Sequence, residues 1–536
     1  MLELWEVFYD HMYEFIGAYM FLALALTLFT GLPVAFALGG ISVIFGGFAI
    51  YFEIFEFNVF FQVIQRIWGG DGASGAVQNP ILVAVPCFVF MGTMLEKSKV
   101  AEDLLHILQV MLRRVPGALA LSVTVMGTIM AATTGIIGAS VVMMTLLALP
   151  AMLARGYHPS LATGTIAASA TLGILIPPSI MLVLMANLLA VSVGNLFIGA
   201  IFPGLVLAGL YFAYIMISCT VKPSLAPPLP ADAIQLDPTK TKNVGRFFGI
   251  MAAIVVLAYL GSMATDAVNW HLIGFLGIFL FSMILGRAEG NTLLGGILKG
   301  FVPPIFLIVL VLGSIFAGWA TPTEAAGVGA FGSMVLAWFN RTLTKEVLEQ
   351  VIHRTALTTA MIFFIFVGAT AFSTIFRNVY GEDLIIEFIE WLELSPWALL
   401  FVLMGAIFLM GFFFDFLEIT LIILPVFAPV IRTMAPAFAT HLGIEEATNA
   451  AQILALEQQV LYWFAILVAT NLQTSFLTPP FGFALFYMKG VAPSSVKMQE
   501  IYKGIIPFVA LQIIGLSIVL YYPQLALWLP EQVFGR

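Results

Sequence analysis

Charge is scarce in this chain. Of 536 residues only 9% are Asp, Glu, Lys or Arg, against 61% hydrophobic, whereas about a quarter of an ordinary soluble chain is charged. So few charges cannot cover a water-exposed surface. That excludes a soluble enzyme and makes lipid the solvent for most of the exterior, as the mean hydropathy of +1.06 also requires. Cysteine is scarcer still: Cys87 and Cys219 both lie in apolar runs, where a thiol acts as a small hydrophobe and not as half of a disulfide or metal site. No Lys or Arg precedes Arg66, while Glu3, Glu6, Asp10 and Glu14 precede the first apolar run. A secretory leader opens on basic residues, so the first span is expected to stay in the mature protein. No basic patch suggests nucleic acid. His106, His158, His353 and His441 form no metal spacing, and there is no Ser-His-Asp set, P-loop or GxGxxG-helix context to support an enzyme.

What is present is a series of apolar segments, near 15–32, 33–52, 79–95, 116–154, 160–186, 196–221, 247–264, 270–286, 300–320, 321–339, 355–376, 396–434, 460–488 and 504–526. Most approach the roughly 20 residues that cross a bilayer. Segments 116–154 and 396–434 are about twice that, with a polar or Gly-rich centre. Each is either two crossings or a helical hairpin entering and leaving on one side. Basic residues concentrate in 97–115 (Lys97, Lys99, Arg113, Arg114), 222–246, 340–354 and 489–503, which places these segments in the cytoplasm. Segment 377–395 sets Glu382, Asp383, Glu387, Glu390 and Glu393 against Arg377 and suits the outside, as does acidic 435–459. All of this fits if both long segments return to their starting side. Both termini are then periplasmic.

The chain also repeats itself. Ala101-Glu-Asp-Leu through Pro116 aligns without gaps with Gly381-Glu-Asp-Leu through Pro396; each reads as an amphipathic helix ending at a proline that opens an apolar run. One is basic at its end and the other acidic, as an element inverted across the membrane should be. Thr145–Pro150 resembles Thr420–Pro425, Gly173–Pro178 resembles Ser475–Pro480, and Gly31-Leu-Pro33 resembles Thr321-Pro-Thr323, all in the same order. Each half has three spans, an arm helix, a long hairpin, a broken helix and a final span. Segments 247–264 and 270–286 fall between the halves. Inverted repeats of this kind are a feature of secondary transporters, whose sites lie where discontinuous helices present N–H or C=O ends near the midplane.

Pro177-Pro178 and Pro479-Pro480 mark those breaks, because adjacent prolines remove two donors and disfavour helix before them. A structural kink is the plain alternative. Ser169, Thr171 and Ser179 flank one pair; Asn471, Gln473, Thr474, Ser475 and Thr478 flank the other. The first hairpin centre, Thr133-Thr-Gly-Ile-Ile-Gly138-Ala139-Ser140, has the small residues of either exposed backbone or tight helix packing. The second, Gly411 to Thr420, carries Asp415 and Glu418. A charge at mid-bilayer costs about 3 kcal/mol on insertion scales, so these carboxylates are expected to be paired, ion-bound, protonated or near water. They mark a cation-binding or proton-linked site, or a turn reaching outside water. Thr321-Pro-Thr-Glu324 suits a helix N-terminus.

At Leu82–Gly92, Gly135–Ser140, Gly173–Ser179, Ala320–Ala325 and Leu477–Gly482 the sequence resembles the large, DctM-type membrane subunit of tripartite ATP-independent periplasmic (TRAP) transporters, and the likeness runs over nearly the whole chain. It is weakest at 51–78 and 222–290, and the two extra central spans depart from the pattern. The resemblance implies an all-α polytopic inner-membrane protein with a scaffold and an elevator-type transport domain. It implies no enzyme activity and no cofactor beyond coupling sodium ions. The expected partners are a separate four-span small membrane subunit, a periplasmic substrate-binding protein, an organic acid and the lipid bilayer, with no nucleic acid. Residues 1–115 would be first-repeat scaffold and cytoplasmic arm, 116–186 half of the transport domain, and 187–299 a scaffold span, loop and extra spans. Residues 300–395 would be second-repeat scaffold and periplasmic arm, 396–490 the other half of the transport domain, and 491–536 a final scaffold span. Gly138, Ala139, Ser140, Thr171, Pro177, Pro178 and Ser179 would frame one ion site, and Asp415, Glu418, Asn471, Thr478 and Pro479 the other. Ser140, Thr420, Gln473, Thr474 and Pro480 would meet the substrate. The chief rival is a stand-alone sodium- or proton-coupled carboxylate carrier; a channel or a non-transporting scaffold has no need of duplicated broken helices.

Overall fold

The computed structural model describes residues 2–69, 75–134, 137–227, 249–250, 252–254, 256–257, 270–289, 293–412, 414–444, 449–479 and 482–534. The first half contains α1 (Leu2–Phe29), α2 (Val34–Tyr51), α3 (Asn58–Trp68), α4 (Ala84–Lys97), α5 (Val100–Leu112), α6 (Ala118–Thr134), α7 (Ile137–Ala154), α8 (Pro159–Thr171), α9 (Ile180–Leu189) and α10 (Val193–Val221). After the central α11 (Trp270–Glu289), the second half contains α12 (Val302–Phe316), α13 (Pro322–Phe339), α14 (Lys345–Asn378), α15 (Gly381–Trp391), α16 (Pro396–Met410), α17 (Phe416–Thr433), α18 (Ala435–Leu442), α19 (Ala450–Leu477), α20 (Phe483–Val491), α21 (Met498–Tyr521) and α22 (Gln524–Phe534). Among the described residues nine helices are long and apolar enough to cross a membrane, so this is a multi-pass membrane protein. Large side chains such as Phe36, Val43, Leu146, Ile217 and Leu357 stay exposed on these helices, as lipid solvation allows.

Helices begin where the sequence supplies a side-chain acceptor. Ser395 Oγ accepts from the Ala398 amide with Pro396 next in line, and Thr344 Oγ1 accepts from Val347. Thr321 with Glu324 and Asn449 with Gln452 form full capping boxes. Thr321-Pro-Thr-Glu is thus a helix start, and Thr323 Oγ1 ties it to the Pro80 carbonyl at 2.9 Å.

The two halves contact each other reciprocally. Span α4 of the first half packs on α13 of the second, and the corresponding α14 packs on α2. Hairpin arm α7 packs on α20, and its counterpart α17 on α9. Final span α21 packs on α8, and its counterpart α10 on α19. In each of these three pairs, where an element of one half meets an element of the other, the counterparts of the two meet as well. This is the contact rule of a two-fold relation, and it carries the duplication from sequence into packing.

The structure differs from the sequence reading in three places. Hydropathy marks lipid contact and not helix ends, so α14 runs 34 residues from Lys345, through what reads as a cytoplasmic loop, into the span at 355–376; Lys345 and Glu349 pair across one turn at its start. The arms are unequal: α5 buries eight positions including Leu104 and Leu108, whereas α15 buries Gly381 and Ile389 and leaves Phe388 and Trp391 exposed. The third difference concerns the final spans. The sequence leads one to expect them in the scaffold at 187–299 and 491–536, but α21 packs chiefly on α8, α19 and α10, and α10 chiefly on α22 and then on α19, α21 and α6. They group with the hairpins and broken helices. The reason is backbone proximity: a Cβ on Gly164 would lie 2.1 Å from the Gly504 carbonyl oxygen. The extra span 247–264 lies largely outside the described residues.

Candidate functional site

Each hairpin is two helices with a short tip. In the first, α6 runs to Thr134 and α7 starts at Ile137, and residues 135–136 lie outside the described residues. The tip of the second, between α16 and α17, is built by its carboxylates. Asp415 Oδ1 accepts from the Phe416 amide at 2.8 Å, and Glu418 Oε2 accepts from the Asp415 amide at 3.1 Å. Together they form a capping box that starts α17 within an apolar segment. Gly411 lets this tip close on the second broken helix, since a Cβ there would sit 2.0 Å from Ser475 Cβ.

The breaks lie at the paired prolines. After α8 the chain makes one 3-10 turn, Leu172–Ile174, and becomes helical again only at Ile180. Thr171 Oγ1 donates to the Ala168 carbonyl at 2.9 Å and Ser179 Oγ to the Ile174 carbonyl at 2.7 Å. In the second half α19 ends at Leu477, Thr478 is extended, and α20 starts at Phe483. Thr478 Oγ1 donates to the Thr474 carbonyl at 2.7 Å, and Asn471 Nδ2 to the Met404 carbonyl at 2.7 Å, which clamps α19 to hairpin arm α16.

A cavity of about 310 Å³ opens where these parts meet. Its walls include Gly138 and Ala139 from the first tip, Ile180 beyond the first break, Asp415 from the second tip and Tyr487 beyond the second break. The remaining wall is α14, with Arg354, Thr358 and Met361. Arg354 is held from behind by Glu96 of α4, Nη1 to both carboxylate oxygens at 3.1–3.2 Å. The cavity therefore offers one cation and one carboxylate on different walls. Gly138 permits the close seat of Tyr487, whose ring lies 2.9 Å from where a Cβ would stand.

Of the residues expected to bind ions or substrate, Gly138, Ala139 and Asp415 line this cavity. Ser140, Thr171, Pro177, Pro178, Ser179, Thr420, Asn471, Gln473 and Thr474 are buried among the hairpins and broken helices; Glu418, Thr478 and Pro479 are partly buried. Pro480 lies outside the described residues. Thr420 Oγ1, Thr474 Oγ1 and both ends of the Gln473 amide are buried without a hydrogen-bond partner. They sit on α17 and α19, which pack together. Buried polar atoms are normally satisfied; Tyr211 Oη and both ends of the Gln512 amide are likewise unpartnered elsewhere. These atoms are neutral hydroxyl and amide groups, and among the described residues no group of three His, Cys, Asp or Glu is placed to hold a metal ion. Hydroxyl and amide oxygens of this kind suit a hard cation or a polar solute. Arg354 and Tyr487 line the cavity but stand outside the set of residues expected from the sequence. Arg354 was read as a loop charge; that it stands next to span 355–376, on a helix continuing into it, was the available signal.

The tip seat is testable. Gly411→Ala is expected to lower uptake at least tenfold, because Ser475 Cβ occupies the new methyl's position, and adding Ser475→Gly is expected to restore most of it. Uptake by the single and double variants checks both halves of the statement.

The comparisons with known proteins agree with this geometry. The family described as "Tripartite ATP-independent periplasmic transporter, DctM component" matches residues 21–525. The C4-dicarboxylate TRAP transporter large permease protein DctM of Pseudomonas aeruginosa is 26% identical, over 84% of this chain and 86% of that one. The sialic acid TRAP transporter large permease protein SiaM of Vibrio cholerae is 23% identical, over 93% and 98%. Among solved structures, the Alcanivorax borkumensis YdaH transporter, described as having an unusual topology, has a TM-score of 0.50 at 14% identity, covering 89% of this chain and 88% of that one, a likeness of fold alone. With hairpins, breaks and a cavity between them in the expected order, and a family match across nearly its whole length, this chain belongs to the DctM component family of tripartite ATP-independent periplasmic transporters, as a large permease subunit.

Proposed function

We propose that this subunit imports an organic acid across the inner membrane, driven by a sodium gradient, by an elevator-like movement of the hairpin and broken-helix bundle against a scaffold. The observation that carries this is the 310 Å³ cavity, whose walls come from both hairpins and both broken helices on one side and scaffold helix α14 on the other. In this reading Arg354 faces the substrate carboxylate, and Asp415 with the oxygens of the tip and break accounts for the cation. The unpartnered Thr420, Gln473 and Thr474 supply neutral donors and acceptors for the rest of the guest. The C4-dicarboxylate and sialic acid relatives are named for carboxylates and the isethionate relative for a sulfonate, so an organic acid anion is the common chemical feature. A small four-span membrane subunit and a periplasmic binding protein complete the system. The final spans α10 and α21 move with the bundle, since α21 cannot slide past α8 at the Gly164–Gly504 contact.

The test is uptake of a labelled organic-acid panel into proteoliposomes holding this chain and its small partner, with and without an inward sodium gradient and the cognate binding protein. Uptake requiring both is expected. Sodium-driven uptake without the binding protein would instead make the system a stand-alone carrier, and uptake indifferent to sodium would remove the coupling assignment.

A further inference from the structure

Helix α14 borders two cavities in succession. The first is the site above, along Arg354 to Ile362. The second, of about 460 Å³, lies along Phe366 to Arg377, with Ser373 about 22 Å up the helix from Thr358 at 1.5 Å per residue. Its other walls are α3, the end of α9 at Asn187–Ala190, and α17 at Pro425–Arg432. Three arginines line it, Arg66 from α3, Arg377 from α14 and Arg432 from α17, and no acidic residue does.

Among the described residues these charges are only partly balanced. Arg377 Nε meets Glu382 Oε1 at 2.6 Å. Arg432 spends one nitrogen on the Leu189 carbonyl, at 2.7 Å, which caps the end of α9. Arg66 has no ion pair and donates no hydrogen bond among the described residues. Burial, and then the neighbouring Arg377 charge, hold its guanidinium below the usual arginine range, against a smaller opposite pull from Glu382. Guanidinium groups gathered in one cavity repel each other, and a carboxylate accepting from two of them relieves the repulsion and supplies charge-assisted hydrogen bonds. Asn187, Thr370, Ser373 and Thr374 add neutral polar groups to the same walls.

We infer that this arginine-lined cavity is a second anion site, a vestibule that binds a small organic carboxylate before it reaches the central cavity. This rests on the proposed function for the identity of the guest. By the charge rule the vestibule opens on the same face as acidic arm α15, where a binding protein would release its load. Arg66 and Arg377 stand on α3 and α14, while Arg432 rides on the bundle. The site is therefore assembled in the conformation seen here, and movement of the bundle disperses it.

The test separates the vestibule from coupled transport. The purified full chain in neutral phosphatidylcholine nanodiscs is titrated with succinate at low ionic strength, with choline replacing sodium. Wild-type protein is expected to bind, and affinity is expected to fall steeply with added salt. Arg66→Gln is the first variant, because it breaks no ion pair or hydrogen bond among the described residues, and is expected to weaken binding at least tenfold. Arg432→Lys, which keeps the charge near Leu189 but loses the planar fork, is expected to weaken it less. Lys345→Gln, which removes an exposed charge at the far end of the same helix, is expected to leave this binding unchanged. Equal affinity for wild type and Arg66→Gln, or no succinate binding by wild type, would overturn the vestibule. Loss of succinate binding when phosphatidylglycerol replaces phosphatidylcholine would assign the arginines to a lipid headgroup and overturn it equally. None of these outcomes depends on whether sodium drives uptake, so failure here and failure of the coupling assignment remain distinct.

Discussion

Gly504→Leu is expected to leave little folded protein, and Gly164→Leu the same. At the crossing of α8 and α21 each glycine faces backbone: a Cβ on Gly164 would lie 2.1 Å from the Gly504 oxygen, and one on Gly504 2.1 Å from the Ser160 oxygen. A flexible side chain could turn away, but a carbonyl inside a helix cannot. The helices must separate along their contact, and the packing lost includes Phe508, which meets Tyr211 and Tyr214 edge-on at 5.4 and 5.2 Å. Overpacking a core costs about 1–3 kcal/mol where side chains can yield; here the cost is expected at or above the upper end. Association of helices in lipid depends on such close approach, because no hydrophobic drive favours one helix neighbour over lipid. Gly405→Ala is the control, since nothing lies within 4 Å of a Cβ there. Size-exclusion profiles and melting temperatures in detergent decide the matter. A monodisperse Gly504→Leu protein melting with wild type would show that the crossing is not as close as described.

The sequence makes the fold legible because lipid imposes simple rules. Long apolar runs, prolines inside them and charge bias between them give spans, breaks and sides, and the duplicated Glu-Asp-Leu arms fix the order. What it hides is lateral packing. Nothing in the composition of 504–526 says that Gly504 abuts Gly164, so grouping the final spans with the bundle required coordinates. The same limit applies at the sites. Asp415, Glu418 and Gln473 announce themselves as polar residues in apolar runs. Arg354, Arg66 and Arg432 do not, because a charge near the end of a span reads as a loop or interface charge until the neighbouring helix is known. Arg66 and Arg432 are 366 positions apart and meet only through α14. The capping box at Asp415 was legible in principle, as Asp-x-x-Glu before an apolar run, and its presence means that polarity alone does not identify a coupling residue.

Asp415→Asn and Glu418→Gln are expected to yield a subunit that is at least as stable as wild type and transports poorly. Both substitutions keep the helix start. Asn caps as well as Asp, and Gln completes the box as Glu does, so the hydrogen bonds to the Phe416 and Asp415 amides survive. What they remove is charge. An uncompensated carboxylate in an apolar segment costs about 3 kcal/mol on insertion scales, so its neutral replacement relieves a cost and raises the melting temperature. If the carboxylates serve only as a cap, uptake and its sodium dependence remain as in wild type. If Asp415 contributes charge to a coupled cation at the cavity, uptake falls at least tenfold and its dependence on sodium concentration shifts upward. Asp415→Ala completes the comparison: it loses cap and charge together, at about 1 kcal/mol for the cap, and is expected to be less stable than Asp415→Asn and no more active. Higher stability with lower activity in the neutral variants is the pattern of a site held under strain for its function, and no purely structural role for these two carboxylates produces it. Wild-type sodium dependence in both neutral variants would reduce Asp415 and Glu418 to the start of a helix.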